Sequence, residues 1–177
     1  MKRITLPADA AVLNSLRAGE AVRLSGTVYS ARDAAHKRIF DQLIKGEPLP
    51  FDLDQAAVYY VGPTPASPGH AAGSAGPTTS SRMDKYTPAL IKNGLRVMIG
   101  KGRRSDEVKA AIREYGAVYF VACGGAGALL SHCITKAEPV AYEDLLAEAV
   151  VKMTFDDFPC FVGIDTEGTD IYELEDE

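Results

Sequence analysis

AVRLSGTVYSARDAAHKRIFDQLIKG, residues 21–46, changes its hydrophobic period halfway along, and that change decides the fold class. Up to Tyr29 the apolar side chains Val22, Leu24 and Val28 fall on one parity, the two-residue period of a half-buried strand. Beyond Ser30 the period lengthens: Ala35, Ile39 and Leu43 recur at four-residue spacing, as on one face of a helix. Ser30-x-x-Asp33 has the form of a capping box, and Gly46 stands where such a helix would stop. Strand, tight turn and helix together are the repeating unit of an α/β protein.

The unit recurs on the C-terminal side. AAVYYVG (56–62) is short, apolar and continuous, as a strand covered on both faces would be. LRVMI (95–99) and AVYFVA (117–122) read as further strands, with a charged helix from Ser105 to Tyr115 between them. Ser81-x-x-Asp84 reads as a second capping box, opening a helix that runs to about Asn93 and stops at Gly94. AVVKMTF (149–155) and CFVGID (160–165) read as two separate strands with DFP between them. No repeat and no linker divides the chain, so residues 1–177 are expected to form one domain.

Composition narrows the function classes. With 46% hydrophobic and 24% charged residues the chain is near the globular average, which excludes disordered and collagenous classes. Nineteen Lys and Arg against 24 Asp and Glu give a net charge of −5, the wrong balance for a broad nucleic-acid surface. No apolar run approaches the ~20 residues of a bilayer span, and Met1–Pro7 lacks a signal-type apolar stretch, so a soluble, cytoplasmic protein is expected. Cys123, Cys133 and Cys160 are widely spaced and contain no C-x-x-C, which points to reduced thiols rather than a disulfide framework or a self-contained metal site.

In an open α/β sheet, ligands bind beyond the carboxyl ends of parallel strands. Four segments occupy such junctions: SARDAAH (30–36), GPTTSSRMD (76–84), GKG (100–102) and CGGAG (123–127). Three carry a cation near the turn, namely Arg32, Arg82 and Lys101. A guanidinium grips a carboxylate through two parallel hydrogen bonds, while lysine acts as a point charge, so the set suits a small ligand with two carboxylates. Taken singly, each is equally readable as a surface charge. Thr78 and Thr79 share the loop end with Arg82; either is a proton acceptor only in a strongly electropositive setting, and helix capping is their plainer role. His36 and His70 are possible general acids or simply satisfied side chains. IGKGRR departs from the P-loop pattern, and Gly124, Gly125 and Gly127 do not make a dinucleotide fingerprint. CGGAG serves either as an anion-binding turn or as a close helix-to-strand contact. Between Gly62 and Ser81 every residue except His70 is Gly, Pro, Ala, Ser or Thr, and a loop beyond about 12–15 residues inside a domain is usually functional or disordered. Here it is expected to order at a shared site.

SARDAAHKR, GPTTSSRMD, MIGKG, GGAGALL and DFPCFVGIDTEGTDIY, in this order from about Ala21 to Tyr172, resemble the β subunit of two-subunit class I fumarases. They equally resemble the C-terminal domain of single-chain class I fumarases and the tartrate dehydratase β subunit. The resemblance implies a swivelling three-layer β/β/α domain and a reversible hydration of a dicarboxylate, fumarate to (S)-malate. It implies a [4Fe-4S] cluster held by a partner α subunit, in an αβ or (αβ)2 assembly, so the chain alone would be inactive. Carried over by motif, Arg32, Thr78, Thr79, Arg82 and Lys101 would line the substrate pocket, with Thr78, Arg82 and Lys101 catalytic and Thr78 the candidate base. Other readings are an L-tartrate dehydratase β subunit and a noncatalytic dicarboxylate-binding or assembly module.

Overall fold

The computed structural model describes residues 1–122 and 126–174. Among these residues its strands are β1 (Lys2–Leu6), β2 (Ala21–Ser30), β3 (Ala57–Tyr59), β4 (Val97–Gly100), β5 (Val118–Val121), β6 (Ile134–Ala141) and β7 (Val150–Ile164). Its helices are α1 (Ala10–Asn14), α2 (Asp33–Lys45), α3 (Thr87–Lys92), α4 (Asp106–Tyr115), α5 (Gly127–Ser131) and α6 (Ile171–Leu174). Short 3-10 turns cover Ser80–Met83 and Glu143–Glu148. None of the described helices is long and apolar enough to cross a membrane.

The strands lie in the order β1-β2-β3-β4-β5-β7-β6, and β2 also pairs with β7. That extra pairing closes β2, β3, β4, β5 and β7 into a ring, which leaves those strands no open edge. The closing strand is long enough to serve several neighbours. Val151–Phe161 of β7 runs antiparallel to β2, its first half pairs with β6, and Phe161–Ile164 meets β5. From β2 to β5 the ring strands are parallel and adjacent in chain order, so their carboxyl ends share one rim.

Alternation along the central strands separates two cores. Ala57, Tyr59, Val97, Ile99, Val118 and Phe120 face inward with Val22, Leu24 and Val28 of β2 and Met153, Phe155 and Val162 of β7. Val58, Met98 and Tyr119 face outward with the following residue Tyr60, under Ile39 of α2, Leu90 and Ile91 of α3, and Val108 and Ile112 of α4. Both faces of β3 to β5 are therefore covered, which is why these strands read as continuous apolar runs.

Several local expectations are corrected. Ser30 does not cap α2: it ends β2, and its hydroxyl donates to the carbonyl of Ala149 (3.4 Å) and accepts from the N–H of Val151 (3.1 Å). Arg32 is the N-cap residue without a side-chain cap bond, and the Ala34 N–H is met by Glu148 Oε1 at 3.3 Å. Ser81 and Asp84 do not open a helix either. The Asp84 carboxylate is occupied by Arg104 and by the Ser105 N–H, and α3 begins at Thr87, with Pro88 in its first turn. DFP does not separate two strands, because β7 runs through it with Asp157 at φ 51° and a register shift opposite Leu24 and Gly26. Neither β1 nor β6 was expected: in β1 only Ile4 and Leu6 are buried, and β6 is largely exposed with Ile134 as its one buried residue.

Candidate active site

The carboxyl rim of the ring brings the junction segments together. Arg32 lies two residues beyond β2, and Lys101 immediately follows β4. The loop after β3 returns to this rim: the Thr78 N–H donates to the Tyr60 carbonyl (2.8 Å), Thr79 forms a parallel bridge with Lys101, and the Ser80 N–H donates to the Lys101 carbonyl (3.0 Å). Residues 78–80 thus extend the sheet by a short rung beside Lys101. Gly100 is required for this approach, since a Cβ there would lie 2.1 Å from Ser80 Oγ and 2.7 Å from the Tyr60 ring.

Side chains join the segments from α2 to the returning loop. Arg82 Nη2 donates to Thr78 Oγ1, and its Nε lies 3.4 Å from Asp33 Oδ1, beside Arg32. Both members of the ion pair are about half exposed, so the pair orients Arg82 more than it stabilises the fold. A cation donating to the Thr78 oxygen favours negative charge there, the electropositive setting a threonine base needs. Arg32 lies against Gly62, where a Cβ would come within 2.7 Å of Nη1. Its Nε is buried with no hydrogen-bond acceptor among the described residues. Leaving such a donor unpaired costs about 1–3 kcal/mol, which a carboxylate placed there would recover. Thr79 is exposed, and Lys101 is half-buried.

The loop from Gly62 to Ser81 is pinched rather than open throughout. The Ser74 N–H donates to Thr64 Oγ1 (2.7 Å), the Thr64 N–H to the Ser74 carbonyl (3.0 Å), and Ala72 and Ala75 are buried in the inner core. His70 is exposed at the tip, its ring 5.8 Å from that of His132. Within CGGAG, Cys123, Gly124 and Gly125 lie outside the described residues. Gly127 is a packing glycine, since a Cβ there would meet Ser74 Oγ at 2.4 Å.

His36 is fully buried, and its Nδ1 lies 2.8 Å from the Arg32 carbonyl. A carbonyl only accepts, so Nδ1 carries the proton. Burial pushes the imidazole pKa down to about 4, against the pull of that hydrogen bond, so the ring is neutral near pH 7. A buried neutral ring holding a backbone carbonyl is a support for Arg32 rather than a general acid.

Residues absent from the sequence reading lie under the rim. Arg104 is 5% exposed, with Nε donating to Asp84 Oδ1 (2.7 Å) and Nη2 to Tyr60 Oη and Thr87 Oγ1 (both 3.1 Å). Its guanidinium lies 5.1 Å from the Tyr60 ring centre and 4.7 Å from that of Tyr119. Burial works against its charge, yet Tyr60, Asp84 and Tyr119 together outweigh burial and hold its pKa above the ordinary arginine value. Tyr119 Oη donates to the Gly102 carbonyl (2.9 Å) and so accepts from Ser80 Oγ (2.7 Å). No spacing or period marks Arg104 in GKGRRS as different from a surface arginine. Asp33 was visible only as a supposed capping residue.

The described residues contain no group of three or more His, Cys, Asp or Glu able to hold a metal ion. Cys160 is buried in the inner core, and Cys133 is half-buried with burial raising its pKa. These side chains do not fit an iron–sulfur cluster, which needs converging, accessible thiolates.

A family model described as "Fumarase C-terminus" matches residues 1–175. The chain is 36% identical over 167 residues to a putative L(+)-tartrate dehydratase subunit beta of Methanocaldococcus jannaschii, covering 91% of this chain and 86% of that protein. It is 38% identical over 152 residues to the aerobic class I fumarate hydratase of Salmonella typhimurium, and 38% identical over 162 residues to fumarate hydratase 2 of Leishmania major. Those matches cover 85% and 90% of this chain but only 26% and 28% of the respective relatives, so the chain spans little more than a quarter of their length.

Proposed function

Because this chain belongs to the fumarase C-terminus family, we propose that it is the β subunit of an iron–sulfur hydro-lyase that interconverts fumarate and (S)-malate. Its likeness across 86% of a protein named as a β subunit supports the β-subunit reading. On this reading the closed ring with its outer helices is the swivelling three-layer β/β/α domain. The α subunit, in an αβ or (αβ)2 assembly, carries the [4Fe-4S] cluster.

This chain contributes the grip on a dicarboxylate and the handling of one proton. Arg32, with its buried unpaired Nε, takes one carboxylate; Arg82 and Lys101 take the other, with Thr79 at its edge. In the direction of dehydration, Thr78 Oγ, as the alkoxide that the neighbouring cations favour, removes the proton from the carbon next to a carboxylate and becomes the neutral hydroxyl. Negative charge then spreads onto that carboxylate, where guanidinium and ammonium groups stabilise it in place. The hydroxyl departs from the neighbouring carbon as hydroxide, leaving the double bond; the cluster held by the α subunit would supply the Lewis acid that takes it up. The Arg82–Thr78 contact carries the proposal, since it favours Thr78 over Thr79 as the base.

The test is anaerobic co-production with a cluster-binding partner, followed by fumarate consumption. Activity is expected from the pair and not from this chain alone. Thr78→Val is expected to lower kcat by at least about 100-fold, the usual scale for a lost acid–base group, while Thr79→Val keeps most of it. Activity of the unaccompanied chain, or an Arg82→Ala pair as fast as the parent, would overturn the assignment. The tartrate dehydratase reading is favoured by the high coverage of the tartrate dehydratase relative. Comparing turnover of L-tartrate and malate by the same pair separates the two.

A further inference from the structure

We propose that Arg104 is a positioning residue whose buried guanidinium, clasped by Asp84, holds the Thr78–Arg82 segment and the Lys101 loop at one fixed spacing. The proposal rests on the hydro-lyase reading for the identity of the reacting groups, but not for the geometry of the clasp.

Arg104 belongs to the same loop as Lys101, three residues further on. Asp84 belongs to the same turn as Arg82, two residues further on. Their contact is doubled: Asp84 Oδ1 accepts from Arg104 Nε and Oδ2 from the Ser105 N–H, each at 2.7 Å. A carboxylate gripped through both oxygens by adjacent donors of one loop fixes orientation as well as distance. The other guanidinium contacts reach the remaining rim segments. Nη2 donates to Tyr60 Oη, and the Tyr60 carbonyl receives the Thr78 N–H. The Tyr60 ring packs edge-on against His36 at 5.3 Å, and His36 holds the Arg32 carbonyl. The Tyr119 ring, on the other side of the cation, fixes Gly102 and Ser80 through its hydroxyl.

One side chain thus stands one or two contacts away from every rim segment that bears a candidate carboxylate-binding group. Its 5% exposure rules out direct contact with substrate, so any effect on turnover must pass through the groups it holds. A buried ion pair as a whole can often be replaced by apolar side chains at little cost to stability, so the presence of the Arg104–Asp84 pair here points to a demand for fixed geometry. Arginine is suited to that demand because its planar fork reaches Asp84, Tyr60 and Thr87 at once, whereas lysine has a single point of charge.

The experiment compares Asp84→Asn, Arg104→Lys and Arg104→Met in the assembled αβ enzyme and in the full β chain. Arg104→Met leaves the largely buried Asp84 carboxylate without its cation and can fail to fold, so Asp84→Asn and Arg104→Lys carry the decision. Amide hydrogen exchange of the β chain is read first. Asp84→Asn is expected to speed exchange at Thr78, Ser80 and Ser105 at least tenfold, with the β4 and β5 amides unchanged. In the assembly, kcat is expected to fall at least tenfold with KM for malate changed less than threefold. Arg104→Lys should recover part of the loss. Native exchange at Thr78, Ser80 and Ser105, or loosening spread evenly through β4 and β5, overturns the positioning role. So does wild-type kcat beside locally faster exchange. If the parental assembly consumes neither fumarate nor tartrate, the hydro-lyase reading fails, while the exchange result still decides whether the clasp exists.

Discussion

The same three strands, β3 to β5, present two unlike faces. Inward they offer Ala57, Tyr59, Val97, Ile99, Val118 and Phe120, none of them charged, against an apolar lining from β2 and β7. Outward, between strands and helices, they bury Arg104, His36, Ser80 and Thr87 among Tyr60, Met98 and Tyr119. The inner core derives its stability from area and fit, which are non-directional. The outer one accepts buried polar groups, which are costly unless each finds a partner, and gains fixed directions at the rim. On the proposed reading, function and stability are divided between the two sides of one sheet.

The largest expected effect tests the inner face. Phe120→Ala removes a fully buried ring and should cost about 3–5 kcal/mol in urea unfolding of the chain, the range for large-to-small aromatic changes in packed cores. At temperatures where the variant is folded, exchange at Thr78 and Ser80 should stay native, since no hydrogen bond of the outer network involves Phe120 among the described residues. A cost below about 1 kcal/mol, well under that range, would mean the closed ring is loosely filled and the contrast between faces is wrong.

The outer face should reveal itself through pH. His36 has its pKa depressed to about 4 in the folded chain against 6.5 when exposed, with burial as the chief cause. As pH falls below about 6.5 the unfolded chain takes up a proton that the folded chain refuses, so stability is lost down to about pH 4 and is fully present above 6.5. The loss attributable to this one ring is about 3 kcal/mol. Urea midpoints followed from pH 7.5 to 4 should decline in the parent and decline less steeply in His36→Gln. Identical slopes would place the acid sensitivity elsewhere.

How much of this was legible depended on how local each signal was. Residues 21–46 announce strand, turn and helix within one window, and α2 with Gly46 at φ 71° follows that pattern. The shared rim of Arg32, Thr78, Thr79, Arg82 and Lys101 could be anticipated because parallel strands laid down in chain order put successive junctions at one end. Ring closure could not, since Val22 pairs with Cys160 across most of the chain and no local period records it. The Ser30 and Ser81 capping patterns misled because tertiary partners claimed their groups: Ala149 and Val151 for Ser30, Arg104 and Ser105 for Asp84. Arg104 itself was invisible for the same reason. A surface arginine and a buried one are the same letter, and only Asp84, Tyr60 and Tyr119, each distant in sequence, make the difference.

The smallest effect concerns the stretch that covers the outer face near Arg32. Glu143–Glu148 is fastened to α2 at both ends, by Arg38 to Asp144 through two hydrogen bonds (2.8 and 2.6 Å) and by Glu148 to the Ala34 N–H. Between these anchors Leu146 sits at φ 54°, ψ −115° with 82% of its surface exposed. That backbone geometry belongs to the first central position of a type II′ turn, which glycine adopts without steric cost and leucine does not. Such strain is typically about 1–3 kcal/mol, while glycine's extra freedom in the unfolded chain returns about 0.5–1 kcal/mol of the relief. Leu146→Gly should therefore raise the stability of the chain by about 1 kcal/mol, read as a higher urea midpoint at unchanged slope. A lowered midpoint would mean that the leucine side chain contributes packing its exposure does not reveal, and that the outer face relies on apolar cover more than on its polar anchors.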